Sequence, residues 1–156
     1  MLKINLYCVG SIKEKYLQDA INEYIKRLSK FAKVEIIEMN ESKLQDNNIE
    51  ATIKQEGENF LKRLKKEEYL MILDLHGKEI DSVEFSEEIK SLKDKGVSPI
   101  NFFIGGTFGI SDEVRKRANF KLSLSKMTFT HQFTRLLILE QIYRAFKIIN
   151  NEQYHH

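Results

Sequence analysis

Ile100-Asn101-Phe102-Phe103-Ile104 runs directly into Gly105-Gly106-Thr107-Phe108-Gly109, and Ser111-Asp112-Glu113 follows. A short, almost wholly apolar run suits a strand buried on both faces of a parallel sheet. The glycines at its carboxyl end let the backbone approach a ligand closely, because no Cβ intervenes. Ser111-Asp112-Glu113 then opens a helix. Strand, glycine turn and helix form half of a βαβ unit, and the rest of the chain repeats that alternation.

Upstream, Tyr69-Leu70-Met71-Ile72-Leu73-Asp74-Leu75 is a second run of the same kind, turned by His76-Gly77-Lys78. Between the two runs, Ser82 is a candidate N-cap with Phe85, Ile89 and Leu92 in phase behind it, and Gly96 stands just past the helix end. Leu2 to Val9 reads as a strand closed by Gly10, and Val34 to Met39 as another. From Lys13 to Phe31, Leu17, Ile21, Tyr24, Ile25 and Leu28 form the stripe of an amphipathic helix. Ile49 to Lys66 is helical, with Ile53, Phe60, Leu61 and Leu64 on its apolar side, and the polar stretch Asn40 to Asn48 before it is the most loop-like and the candidate for mobility. The expected fold is α/β, a mostly parallel sheet with helices on both faces, in a single domain over residues 1–156.

The composition fits: of 156 residues, 42% are hydrophobic and 31% charged, a globular balance that excludes disorder and collagen-like repeats. The single cysteine, Cys8, lies inside an apolar run, so neither an intramolecular disulfide nor a Cys-based metal site can form, and no metal is expected. The start MLKINLYCVG lacks the apolar stretch of a signal peptide, and no run approaches the roughly 18 apolar residues of a membrane span, so no membrane association and a cytoplasmic location are expected. Through residue 110 there are 17 Lys and Arg against 19 Asp and Glu, and beyond it 8 against 4. That basic tail permits a polyanionic partner without demanding one.

In open α/β sheets ligands sit at the carboxyl ends of strands. Three places qualify: Leu73 to Gly77, Gly105 to Gly109, and Leu122 to Thr128. The glycine spacing is GGxxG rather than GxGxxG, no Asp or Glu occurs from Val114 through Leu139, and Asp112 and Glu113 crowd the helix start where a pyrophosphate would bind. A nicotinamide cofactor is therefore rejected, and no P-loop motif is present. What remains is either a tight turn without a ligand or a close-backbone site for something uncharged or cationic. Ser123, Ser125 and Thr128 offer hydroxyls that can bind the edge of a base, or else simply connect strand to helix with a Ser/Thr cap. Leu136-Leu137-Ile138-Leu139 demands burial of more than one helix face, which points to a homodimer.

Taken together, Phe103 through Gly109, Leu122 through His131, Glu140-Gln141-Ile142-Tyr143-Arg144-Ala145-Phe146 and the terminal Tyr154-His155 resemble the ribosomal large-subunit pseudouridine methyltransferases of the SPOUT class, and the likeness includes Val9-Gly10-Ser11-Ile12-Lys13. The resemblance implies a trefoil knot near the C-terminus, a homodimer, and S-adenosylmethionine bound by Leu73, Gly105, Leu124, Ser125, Lys126, Met127, Thr128 and Phe129. It implies methylation at N3 of a pseudouridine in large-subunit rRNA on the assembled ribosome, with Tyr154 and His155 approaching the base and Arg144 holding a phosphate or developing charge. Read without it, Arg144 pairs with Glu140 at i, i+4, and Tyr154-His155-His156 is a frayed end or the stub of a tag. Two residues depart from the family pattern: Thr130 stands where proline is usual, loosening the helix entry, and His156 replaces a basic final residue. Two alternatives remain, a ribosome-associated binding module without chemistry and a SPOUT enzyme acting on tRNA, the latter disfavoured because no appended RNA-binding domain is visible.

Overall fold

The computed structural model describes residues 1–42 and 48–156. Five strands, β1 (Leu2–Val9), β2 (Ala32–Met39), β3 (Tyr69–Glu79), β4 (Ile100–Ile104) and β5 (Phe120–Ser123), form one sheet in the order β2-β1-β4-β3-β5, and every pairing is parallel. The helices are α1 (Lys15–Leu28), α2 (Ile49–Leu61), α3 (Ser82–Asp94), α4 (Asp112–Arg117) and α5 (His131–Ile149).

Strand alternation sorts the core into two layers. Ile4, Leu6 and Cys8 of β1 face one side with Ile100, Phe102 and Ile104 of β4, under α1, α3 and α5. Tyr7, Val9 and Phe103 face the other with Phe60 of α2 and Val114 of α4. The odd-numbered helices thus lie on one face and the even-numbered on the other, so all four crossovers share one hand, as parallel sheets require. Cys8 is buried and its thiol is pushed up to about 12 by desolvation, which leaves it an inert core residue.

Three local expectations are corrected. The chain does not turn at His76-Gly77-Lys78: β3 continues to Glu79, its pairing with β5 shifting register between Leu73 and Lys78. A bulge absorbs the break, and Gly77 fits because a Cβ there would stand 2.7 Å from the Lys121 backbone. The cap of α3 is Asp81 rather than Ser82: its carboxylate accepts the Glu84 amide at 2.8 Å, while Glu84 accepts the Asp81 amide at 3.1 Å. Helix α2 stops at Leu61, and its buried face is Thr52, Glu56, Gly57 and Phe60, more polar than the expected side, because it packs on the glycine turn after β4. Most of the Leu136–Leu139 run is covered within one chain, since α5 lies between α1 and α3: Ile138 and Leu139 are fully buried and Leu136 and Leu137 half-buried. The expected loop Asn40 to Asn48 falls mostly on residues 43–47, outside the described residues. No helix among the described residues is long and apolar enough to cross a membrane.

Candidate functional site

The register break of β3 and the carboxyl ends of β4 and β5 open into one cleft of about 620 Å³, within the range of small-molecule sites. At its floor β4 feeds Gly105, where a Cβ would stand 2.6 Å from the Gly109 carbonyl, so only glycine lets the turn close. The Gly109 amide returns to the Gly106 carbonyl at 3.2 Å, and Gly109 takes φ +108°, a conformation that excludes ordinary side chains. Ser111 caps α4 by accepting the Val114 amide, and Gly57 lets α2 pack on that serine. Behind the turn, Glu56 accepts the Ser42 amide at 3.1 Å, and burial holds its carboxyl above the usual range.

The third wall is the segment after β5. The Ser123 hydroxyl donates to the Ser125 carbonyl at 3.0 Å, and the Ser125 hydroxyl accepts the Met127 amide at 3.0 Å. These two hydroxyls shape the loop itself, and each keeps hydrogen-bonding capacity beyond these bonds. Thr130 caps α5 by accepting the Phe133 amide at 3.2 Å, so a side-chain cap fixes the helix entry that the departure from proline was expected to loosen. Leu73, Gly105, Leu124, Ser125, Met127, Thr128 and Phe129 all line the cleft, whereas Lys126 is exposed and lies off it. Leu75, Met127 and Phe129 leave an apolar, exposed rim. Two titratable lining groups escaped the sequence reading. Asp74 is buried within the run Tyr69–Leu75, where a carboxylate among apolar residues was itself the signal; His131 opens α5, and burial lowers its pKa.

A second cluster forms where the chain end folds back on α5. The Tyr154 hydroxyl donates to Glu140 at 2.8 Å, Arg144 holds the same carboxylate through Nε at 3.2 Å and Nη2 at 2.9 Å, and Arg144 Nη1 meets His155 Nδ1 at 3.2 Å. The guanidinium also lies over the Tyr154 ring, 4.8 Å from its centre, and Tyr154 meets Tyr143 edge to face at 5.0 Å. The i, i+4 pair of Arg144 with Glu140 is made, and Arg144 also holds the tail. The end is not frayed. Burial, together with bonds to Tyr24 and Glu140, pushes the Tyr154 pKa well above its usual value, so the phenol stays protonated. A smaller cavity of about 330 Å³, walled by Glu140, Leu124 and Phe129, lies between this cluster and the cleft.

The family model described as "Predicted SPOUT methyltransferase" matches residues 2–155. The chain belongs to the SPOUT methyltransferase family. Curated relatives named ribosomal RNA large subunit methyltransferase H include one from Clostridium novyi (strain NT), 51% identical, and one from Acetivibrio thermocellus, 47% identical, each match covering 99% of both chains. Among solved structures, a Legionella pneumophila protein described as a methyltransferase and holding bound S-adenosylmethionine aligns with TM-score 0.52 at 14% identity, over 93% of this chain and 66% of that one, a likeness of fold alone. The three strand ends picked out by the sheet rule thus fall together in a SPOUT methyltransferase, and the SPOUT fold class matches the parallel sheet described above.

The cleft suits S-adenosylmethionine on its own geometry. Glycine backbone lines it, apolar strand ends can enclose adenine, and Asp74, the one acidic side chain on its wall among the described residues, would complement a cationic sulfonium.

Proposed function

We propose that the chain is an S-adenosylmethionine-dependent methyltransferase of large-subunit rRNA, acting at N3 of a pseudouridine on the assembled ribosome in the cytoplasm. The observation that carries this reading is the convergence of Leu73, Gly105 and Leu124–Phe129 on one cleft in a chain that matches rRNA methyltransferase H relatives from end to end. When bound, the cofactor supplies a methyl group already activated by its sulfonium. The protein then has mainly to hold donor and nitrogen in line and to exclude water, and positioning of that kind accounts for about 7 to 11 kcal/mol of barrier.

Leu73, Leu124 and Phe129 exclude water around the donor, and the Gly105 turn presents backbone to it. Tyr154, protonated and held by Glu140, positions the target base as a hydrogen-bond group rather than as a base. Arg144 is already aligned by Glu140, and its contact with His155 orients that imidazole toward the same surface. His155 becomes the candidate acceptor of the N3 proton once Arg144 turns to the substrate, because Nδ1, to which Arg144 donates here, carries the one lone pair of the neutral ring.

Geometry along α5 bears on how the site is assembled. Glu140 lies nine residues and Arg144 thirteen beyond His131, about 14 and 20 Å at 1.5 Å per residue. Glu140 nevertheless walls the cavity it shares with Leu124 and Phe129, so the tail cluster adjoins the near edge of its own cleft, and the family likeness is what supports a homodimer. The exposed Phe129 and Phe133 and the half-buried Leu136 and Leu137 supply an apolar face for it. The trefoil knot implied by the family belongs to the same reading.

Deleting residues 152–156 tests the assignment. The truncated protein is expected to bind S-adenosylmethionine and to lose methyl transfer to ribosomes. Undiminished transfer would overturn the role of the tail, and a strict 18 kDa monomer by light scattering would overturn the homodimer.

A further inference from the structure

Asp74 directly follows Leu73 at the point where β3 shifts register, with its side chain 5% exposed on the wall of the cleft. One carboxylate oxygen accepts the His76 amide at 3.1 Å and the other accepts Arg115 Nε at 3.0 Å. Arg115 reaches over from α4, where Nη1 also lies 3.4 Å from the exposed Asp112. Burying a carboxylate in an otherwise apolar strand end costs stability even when it is paired, and the strand would be served as well by an apolar residue. Each oxygen has lone pairs beyond the one bond it accepts. The other titratable group on the cleft wall is His131, whose pKa is lowered by burial, so the wall's fixed charge is negative and comes from one residue.

We propose that Asp74 is a specificity residue that reads the charge of the occupant, favouring S-adenosylmethionine over the S-adenosylhomocysteine left after transfer, with Arg115 tempering the effect. The inference rests on the cofactor reading above. Methyl transfer leaves the S–C bonding electrons on sulfur, so the sulfonium becomes a neutral thioether while the rest of the molecule is unchanged. A buried carboxylate on the cleft wall attracts the first and not the second, because Coulomb attraction acts on net charge and a buried group is screened less than an exposed one. Reactant is thereby held and product released by the same group. A hydrogen bond to a ribose or adenine edge, by contrast, would serve both ligands equally.

The test is calorimetric titration of the intact protein with S-adenosylmethionine, S-adenosylhomocysteine and sinefungin, which carries a cationic amine close to where the donor has its sulfonium. Asp74→Asn is expected to weaken S-adenosylmethionine and sinefungin about five- to tenfold and S-adenosylhomocysteine less than twofold. Arg115→Gln, which removes the counter-charge, is expected to shift the same ratio the opposite way. A merely structural pair would move all three ligands together in both variants. Equal losses for all three ligands, or a ratio unmoved in both variants, overturn the proposal while leaving cofactor binding intact. Should Asp74→Asn fail to fold by thermal melt, the direction of the Arg115→Gln shift decides alone. Binding of none of the three by the wild type would overturn the cofactor reading and this inference together.

Discussion

Replacing Gly105 with alanine perturbs the site at its tightest point. The new methyl would stand 2.6 Å from the Gly109 carbonyl oxygen and 2.9 Å from Ile110 Cγ1. The first of these neighbours is backbone, so no side-chain rotation relieves it. Restoring an ordinary contact of 3.4 Å moves one limb of the turn by about 0.8 Å, and overpacking of this kind costs about 1 to 3 kcal/mol. For a chain of this length that lowers Tm by about 2 to 12 °C at 2 to 4 °C per kcal/mol. Because the displaced residues line the cleft, S-adenosylmethionine affinity should fall together with Tm. Gly96→Ala is the control: φ there is +74°, so alanine is strained, yet nothing lies within 4 Å and the site is remote from the cleft. It should lower Tm and leave the affinity unchanged. Calorimetric titration beside a thermal melt reads both quantities. A Gly105→Ala protein with wild-type affinity would refute the claim that this turn forms the floor of the donor site.

Three further outcomes follow from the same geometry. Phe60 is fully buried, stacked on Phe103 with ring centres 4.2 Å apart and edge-on to Tyr7 at 5.1 Å, so Phe60→Ala should cost about 3 to 5 kcal/mol in a urea melt; a loss under 1 kcal/mol would contradict the packing. Glu56→Gln keeps an acceptor for the Ser42 amide and suits a carboxyl that burial already disfavours as an anion, so it should be nearly neutral, whereas Glu56→Ala should cost about 1 to 3 kcal/mol; the reverse order would show that the charge itself matters. His131 has its folded pKa lowered by burial, so the unfolded chain binds more protons just below pH 6.5; stability is full above that pH and is lost as pH falls toward the folded value. Tm measured against pH should therefore drop less steeply below 6.5 in His131→Gln than in the wild type, and parallel curves would discount the burial.

The alternation of strands and helices was legible because each β-strand run is short and apolar while each helix carries a stripe. What escaped depended on partners remote in sequence. His76-Gly77-Lys78 has the composition of a turn, and it stays in β3 because β5, some 45 residues on, pairs across the bulge. Helix α2 buries Glu56 against Gly106 of the glycine turn and Gly57 against Ser111 and Val114 at the start of α4, which no apolar stripe announces. At the site, the glycine turn and the β5–α5 segment were readable from motif order, although Lys126 belongs to the motif and not to the cleft. Asp74 stood in plain sight as a charge inside an apolar run, but its meaning needed Arg115 beside it. The tail was the hardest part, because Tyr154 owes its order to Glu140, fourteen residues earlier on a different part of the fold.

The central claim is tested most directly by incubating ribosomes that lack the modification with the purified protein and S-adenosylmethionine carrying a labelled methyl group, then locating the label by nuclease digestion and mass spectrometry. The account predicts label in large-subunit rRNA alone, on N3 of a pseudouridine, and none with the protein truncated after Asn151. Label on tRNA or on another rRNA position, or a folded protein that binds the donor and transfers nothing, would contradict it.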